Sequence, residues 1–175
     1  SKKRAGRYLP TLFNVMGGVT ILGISPGTRY IGIALQRNGI LYDWRIKSYK
    51  GVWSEEKLLK VVTYIETLIV THVVEHIACK IPHMGRCSEG LKLLIEKIKS
   101  IAKKCNSKIH LYSIAELKAL FTTSIQNKGA LVSYLAETLP ELRHLLKKEM
   151  RNKNTYYVKV FEAIATTVHC HNSLK

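Results

Sequence analysis

Residues 21–35 limit the folds open to this chain more than any other stretch. They read Ile21-Leu22-Gly23-Ile24, then Ser25-Pro26-Gly27-Thr28, then Arg29-Tyr30-Ile31-Gly32-Ile33-Ala34-Leu35. Two apolar runs of strand length flank a turn in which proline presets φ and glycine frees it. Asn38-Gly39 follows, a strong hairpin signal because both residues tolerate positive φ. This punctuation predicts strands over 19–24, Tyr30–Arg37 and Ile40–Ser48.

The pattern then changes period. Ser54 is placed to cap a helix whose first turn carries Glu55 and Glu56, where the helix dipole favours acid. Leu58, Val61, Val62, Ile65, Leu68 and Ile69 repeat at helical spacing. An apolar run over 73–81 predicts an interior strand. A second amphipathic helix spans 88–105, with Leu91, Leu94, Ile95, Ile98 and Ala102 on its apolar face. A short strand is expected at 109–112, and Ser113 with Glu116 forms a capping box for the next helix. Helical patterns follow over 130–138, 141–150 and 155–169. The order is β-β-β-α-β-α-β-α with extra helices near the end. A chain of 175 residues with 46% apolar content supports one packed domain, 19–175, preceded by a basic arm, 1–18.

Charge constrains the partners. Lysine and arginine number 28 against 12 acidic residues, a net charge of +16. A field of that sign favours polyanions, nucleic acid first. Asp43 is the only aspartate, a poor stock for two-metal phosphodiester chemistry, which clusters carboxylates. No apolar run approaches the roughly 20 residues of a membrane span, so no membrane partner is expected. The four cysteines form no Cys-x-x-Cys pair. They read as free thiols in a reducing compartment, the cytoplasm or an organelle, and not as a sulfur-rich zinc site.

Three segments together carry a resemblance. They are the opening hairpin, Ile77-Ala78-Cys79-Lys80-Ile81-Pro82, and Lys159-Val160-Phe161-Glu162-Ala163-Ile164-Ala165 with His169-Cys170-His171 after it. Over about 19–171 the chain resembles the RuvC Holliday-junction resolvases, a branch of the RNase H-like nucleases. The resemblance implies an α/β, RNase H-like fold: a mixed five-stranded sheet flanked by helices. It also implies a site. The family places metal-binding carboxylates where this chain has Ser25, Lys80, Lys159 and Glu162, so a single carboxylate remains. Two ammonium groups beside it repel a divalent cation. The expectation is a degenerate nuclease centre with no confident catalytic residue, no metal and no cofactor, in which Lys80 takes a cation's place and pairs with Glu162.

The resemblance implies branched DNA as first partner; charge alone also admits structured RNA. Candidate phosphate contacts are Lys2, Lys3, Arg4 and Arg7 on the arm and Arg29 beside the hairpin turn. Others are Lys118, Lys128 in Asn127-Lys128-Gly129, and Lys92, Lys99 and Lys103 on the second helix. A homodimer is implied by the family alone. Two other readings stay open. One is an active Mg²⁺-dependent Holliday-junction endonuclease that recruits Glu162 with Glu75 or Asp43. The other is a protein-interaction or assembly scaffold. His72-Val73-Val74-Glu75-His76 matches a zinc-protease pattern, but that chemistry needs both histidines on one helical face, and here a helix is expected to give way to a strand. His169 and His171 read as a solvated helix end.

Overall fold

In the computed structural model of the chain, residues 18–121, 128–151 and 156–175 are described. Asn38 and Gly39 adopt φ of 50° and 83°. They turn β2 (Tyr30–Arg37) back against β3 (Ile40–Ser48). The Pro26-Gly27 turn does the same between β1 (Thr20–Ser25) and β2. Ser54 Oγ accepts the Lys57 backbone N–H and starts α1 (Glu55–His72). Beyond it lie β4 (His76–Lys80), α2 (Glu89–Lys104), β5 (Lys108–Tyr112), α3 (Ile114–Phe121), α4 (Lys128–Thr138), α5 (Arg143–Arg151) and α6 (Val158–Ser173). The predicted capping box forms reciprocally. Ser113 N–H donates to Glu116 Oε2 at 2.7 Å, and Glu116 N–H to Ser113 Oγ at 3.2 Å.

One strand boundary differs from expectation. The run over 73–81 was predicted to be strand throughout, but Val73 closes α1 in the left-handed region at φ 50°. Its N–H bonds the Ile69 and Val70 carbonyls, so the chain enters β4 only at His76.

The sheet order is β3-β2-β1-β4-β5. β1, β2 and β3 pair antiparallel, whereas β1–β4 and β4–β5 are parallel. The sheet is therefore mixed, as expected. Strand alternation divides the core into two layers. Leu22, Ile24, Ile31, Ile33, Leu35, Ile77 and Cys79 face α1 and α2. Ile21, Ala34 and Ala78 face α6, with α3, α4 and α5 packed around it.

α6 is buried along most of its length, and two glycines let it lie that close. A Cβ on Gly32 would strike the Lys159 carbonyl and come within 2.8 Å of the Val160 nitrogen. A Cβ on Gly23 would strike the Ala163 carbonyl and lie 2.6 Å from the Thr167 methyl carbon. Backbone, which cannot rotate aside, fills both spaces. Gly32→Ala and Gly23→Ala should each cost about 3 kcal/mol or more, measured by urea denaturation. Gly85→Ala, where a Cβ meets only His83 Nδ1 at 3.8 Å, should stay within about 0.5 kcal/mol.

Candidate functional site

The parallel register places Ile24 of β1 opposite Cys79 of β4. Ser25 and Lys80 therefore end neighbouring strands at the same edge of the sheet. By alternation both side chains point to the α6 layer, on the same face as Gly23 and Ala78. α6 crosses that edge with its first turns, and Lys159 and Glu162 sit there. The four positions singled out by the resemblance thus converge from three elements.

The predicted ion pair forms. Lys80 Nζ lies 2.5 Å from Glu162 Oε2, with Lys80 7% and Glu162 1% exposed. Burying either charge alone would be costly, so each depends on the other. Lys159 stands at the rim, and its ammonium donates to the Pro26 carbonyl at 2.9 Å. Its aliphatic stem runs along Gly27, where a Cβ would meet Lys159 Cε at 3.3 Å. Nothing in the sequence pointed to this contact, which joins residues 133 positions apart. Ser25 is fully buried, and its hydroxyl has no hydrogen-bond partner among the described residues.

Magnesium does not fit this donor set. The ion wants several hard, mostly anionic oxygens, whereas the site offers one carboxylate already engaged by an ammonium, with a second ammonium at the rim. Among the described residues, no group of three His, Cys, Asp or Glu donors converges on Glu162. Cys79 adds no ligand: it faces the opposite layer, and burial pushes its thiol up to about 12 despite the nearby Lys80, Lys159 and Lys99 charges. The carboxylates considered as replacements lie elsewhere. Asp43 is on β3, opposite Leu35, and pairs with Arg45. Glu75 precedes β4, at the end of that strand remote from Lys80.

The basic candidates separate into groups. Arg29 is exposed beside the hairpin turn, its guanidinium 5.9 Å from the centre of the Tyr30 ring. Tyr30 packs edge-on against Tyr156 at 4.8 Å, and Tyr156 against Tyr157 at 4.9 Å, so an aromatic group lies beside the same hairpin turn. Lys118 is half-buried on α3, in the α6 layer. Lys92, Lys99 and Lys103 lie on α2, which covers the other face of the sheet, so they do not join the Glu162 group. Lys92 and Lys99 are engaged one turn back by Glu89 at 2.8 Å and Glu96 at 2.6 Å; Lys103 is exposed. Such exposed pairs are weak. Lys2, Lys3, Arg4 and Arg7, Asn127, and the Lys128 side chain lie outside the described residues.

The histidine readings resolve differently. His72 ends α1 and meets the Tyr42 hydroxyl at 3.2 Å, whereas His76 opens β4, so the protease geometry does not form. His169 was expected in solvent. Instead its ring stacks on Tyr112 at 4.3 Å between centroids, because Tyr112, at the end of β5, reaches the last turns of α6. All four cysteines are free thiols. No described helix is long and apolar enough to cross a membrane.

Comparison with known proteins agrees with this fold. Thermus thermophilus RuvC in complex with a Holliday junction substrate superposes with a TM-score of 0.67, at 13% identity over 89% of this chain and 95% of that one. A second Thermus thermophilus RuvC structure gives 0.65, at 12% identity over 89% and 96%. Fowlpox virus resolvase in complex with Holliday junction DNA gives 0.55, at 11% identity over 87% and 99%. No family model matches the chain, and no curated protein matches it. The fold is RuvC-like and RNase H-like.

The Lys80–Glu162 pair has a defined energetic signature. Lys80→Ala strands a buried carboxylate and should cost about 3–5 kcal/mol. The double replacement Lys80→Met with Glu162→Met should recover most of that loss in chemical denaturation, because it removes both charges at similar volume.

Proposed function

We propose that this protein binds structured nucleic acid, branched DNA first, through backbone charge and shape, and does not cut it. The observation that carries this reading is the buried Lys80–Glu162 ion pair at the shared end of β1 and β4. Where the RuvC-like resemblance puts a cation between carboxylates, this chain supplies its own. The rest of the molecule favours a polyanion. Its net charge is +16, and Arg29 and Lys159 stand beside the mouth with Tyr30 and Tyr156. Branched DNA is favoured because the similar RuvC and fowlpox structures hold Holliday junctions.

Binding of this kind is held mainly by phosphates, which position a protein without reading sequence. It should therefore be steeply salt-dependent and tolerant of sequence. A homodimer, in keeping with the resemblance, would present two such basic mouths to the arms of one junction.

A labelled four-way junction, titrated with the protein in EDTA and again in Mg²⁺, tests this. The expected result is retention in both buffers, intact strands, and an affinity loss on the order of 10³-fold between 50 and 200 mM salt. Arg29→Ala should weaken binding equally on junctions of unrelated sequence. Strand scission that needs Mg²⁺ and disappears in Glu162→Gln would establish the endonuclease reading instead. No salt-sensitive retention of DNA or RNA would favour the scaffold reading.

A further inference from the structure

The other end of α6 carries a cluster with different chemistry. His76 opens β4, and His110 lies on the adjacent edge strand β5. The register pairs His76 with Lys108 and Ala78 with His110, so the two histidines are diagonal neighbours on one face. Their rings stack with centroids 5.2 Å apart, and His76 Nδ1 is 2.9 Å from His110 Nε2. The last turns of α6 bring Cys170 to the same point. One donor atom from each of His76, His110 and Cys170 falls within 4.8 Å of the others. Cys170 is fully buried, His76 is nearly so, and His110 is partly open at the sheet edge.

We propose that His76, His110 and Cys170 form a binding site for a borderline-soft divalent metal, zinc first, which fastens β4 and the edge strand β5 to the end of α6. Two imidazoles and a thiolate are ligands that zinc prefers, and hard ions such as magnesium find no oxygen ligands among them. Zinc bonds of about 2.0–2.3 Å in a tetrahedron hold donors roughly 3.3–3.8 Å apart, so the two rings must spread from 2.9 Å and the farthest donor pair must close from within 4.8 Å. A fourth position remains for water. A proton shared between two histidines accounts for their close approach, but not for a buried sulfur at the same point.

The surroundings suit ligand orientation. The Tyr112 hydroxyl faces the Cys170 and Ser173 side chains, and the Tyr112 ring is held under His169. Outer contacts of this kind fix a ligand's direction and tune the metal. The site is separate from the Glu162 centre. His76 and Lys80 occupy opposite ends of β4, and Cys170 lies roughly 12 Å further along α6 than Glu162.

The test uses the whole chain, stripped with chelator and then titrated with Co²⁺ followed by Zn²⁺. One equivalent of Co²⁺ should produce a sulfur-to-cobalt charge-transfer absorption that Zn²⁺ abolishes, and Zn²⁺ should raise the melting temperature. Cys170→Ser should remove the absorption and weaken Zn²⁺ binding by more than about 100-fold. His110→Ala, at the open edge, should weaken it comparably while circular dichroism shows the fold retained. Cys87→Ser with Cys105→Ser should change nothing. The proposal is overturned if the unmodified protein takes up neither ion saturably. It is also overturned if the absorption survives Cys170→Ser, if it vanishes in the Cys87/Cys105 variant, or if folded His110→Ala binds Zn²⁺ normally.

Discussion

Everything at the candidate site follows from how closely α6 lies on the sheet. Gly23 and Gly32 present no side chain, so the helix backbone at Lys159 and Ala163 rests directly on β1 and β2. That approach carries Glu162 into the interior, where it is 1% exposed. A carboxylate so buried must be protonated, bound to a cation or paired. In a RuvC-like nuclease the cation is a metal. Here Lys80, ending the neighbouring strand, reaches it at 2.5 Å. The backbone geometry creates the demand for positive charge, and the side chain at position 80 decides how it is met.

Set against the carboxylates that the RuvC resemblance implies, the residues here are coherent in sign. Ser25 carries no charge, Lys80 and Lys159 carry positive ones, and Lys159 is held outward by the Pro26 carbonyl. The site pairs its single carboxylate with an ammonium and keeps a second ammonium at its rim. That positive rim matches the whole molecule, whose net charge is +16 and whose basic excess acts over a longer range than any single contact. Under the proposed function, the sheet edge that in a nuclease organises metal ions serves to meet phosphate oxygens.

Local chemistry was legible in the sequence wherever it acts over a few residues. The Pro-Gly and Asn-Gly turns, the Ser54 cap and the Ser113–Glu116 box formed as expected because their partners are adjacent in the chain. The Lys80–Glu162 pair was legible only because the resemblance aligned strand and helix; neither residue announces the other. The start of β4 was misread because an apolar run does not reveal that Val73 would turn left-handed to close α1. His169 was misread for a related reason: its partner Tyr112 comes from another element. The His76–His110–Cys170 cluster was invisible, since three elements contribute one donor each and no local spacing records their meeting.

The central claim is that Lys80 occupies the place of a metal ion beside Glu162. Paramagnetic Mn²⁺, a probe for magnesium sites, tests it through relaxation of backbone resonances near the ends of β1 and β4 and the first turns of α6. The account predicts that Ser25, Lys80 and Glu162 show no selective broadening in the unmodified protein at millimolar Mn²⁺. Saturable broadening centred on Ser25 and Glu162 would contradict it.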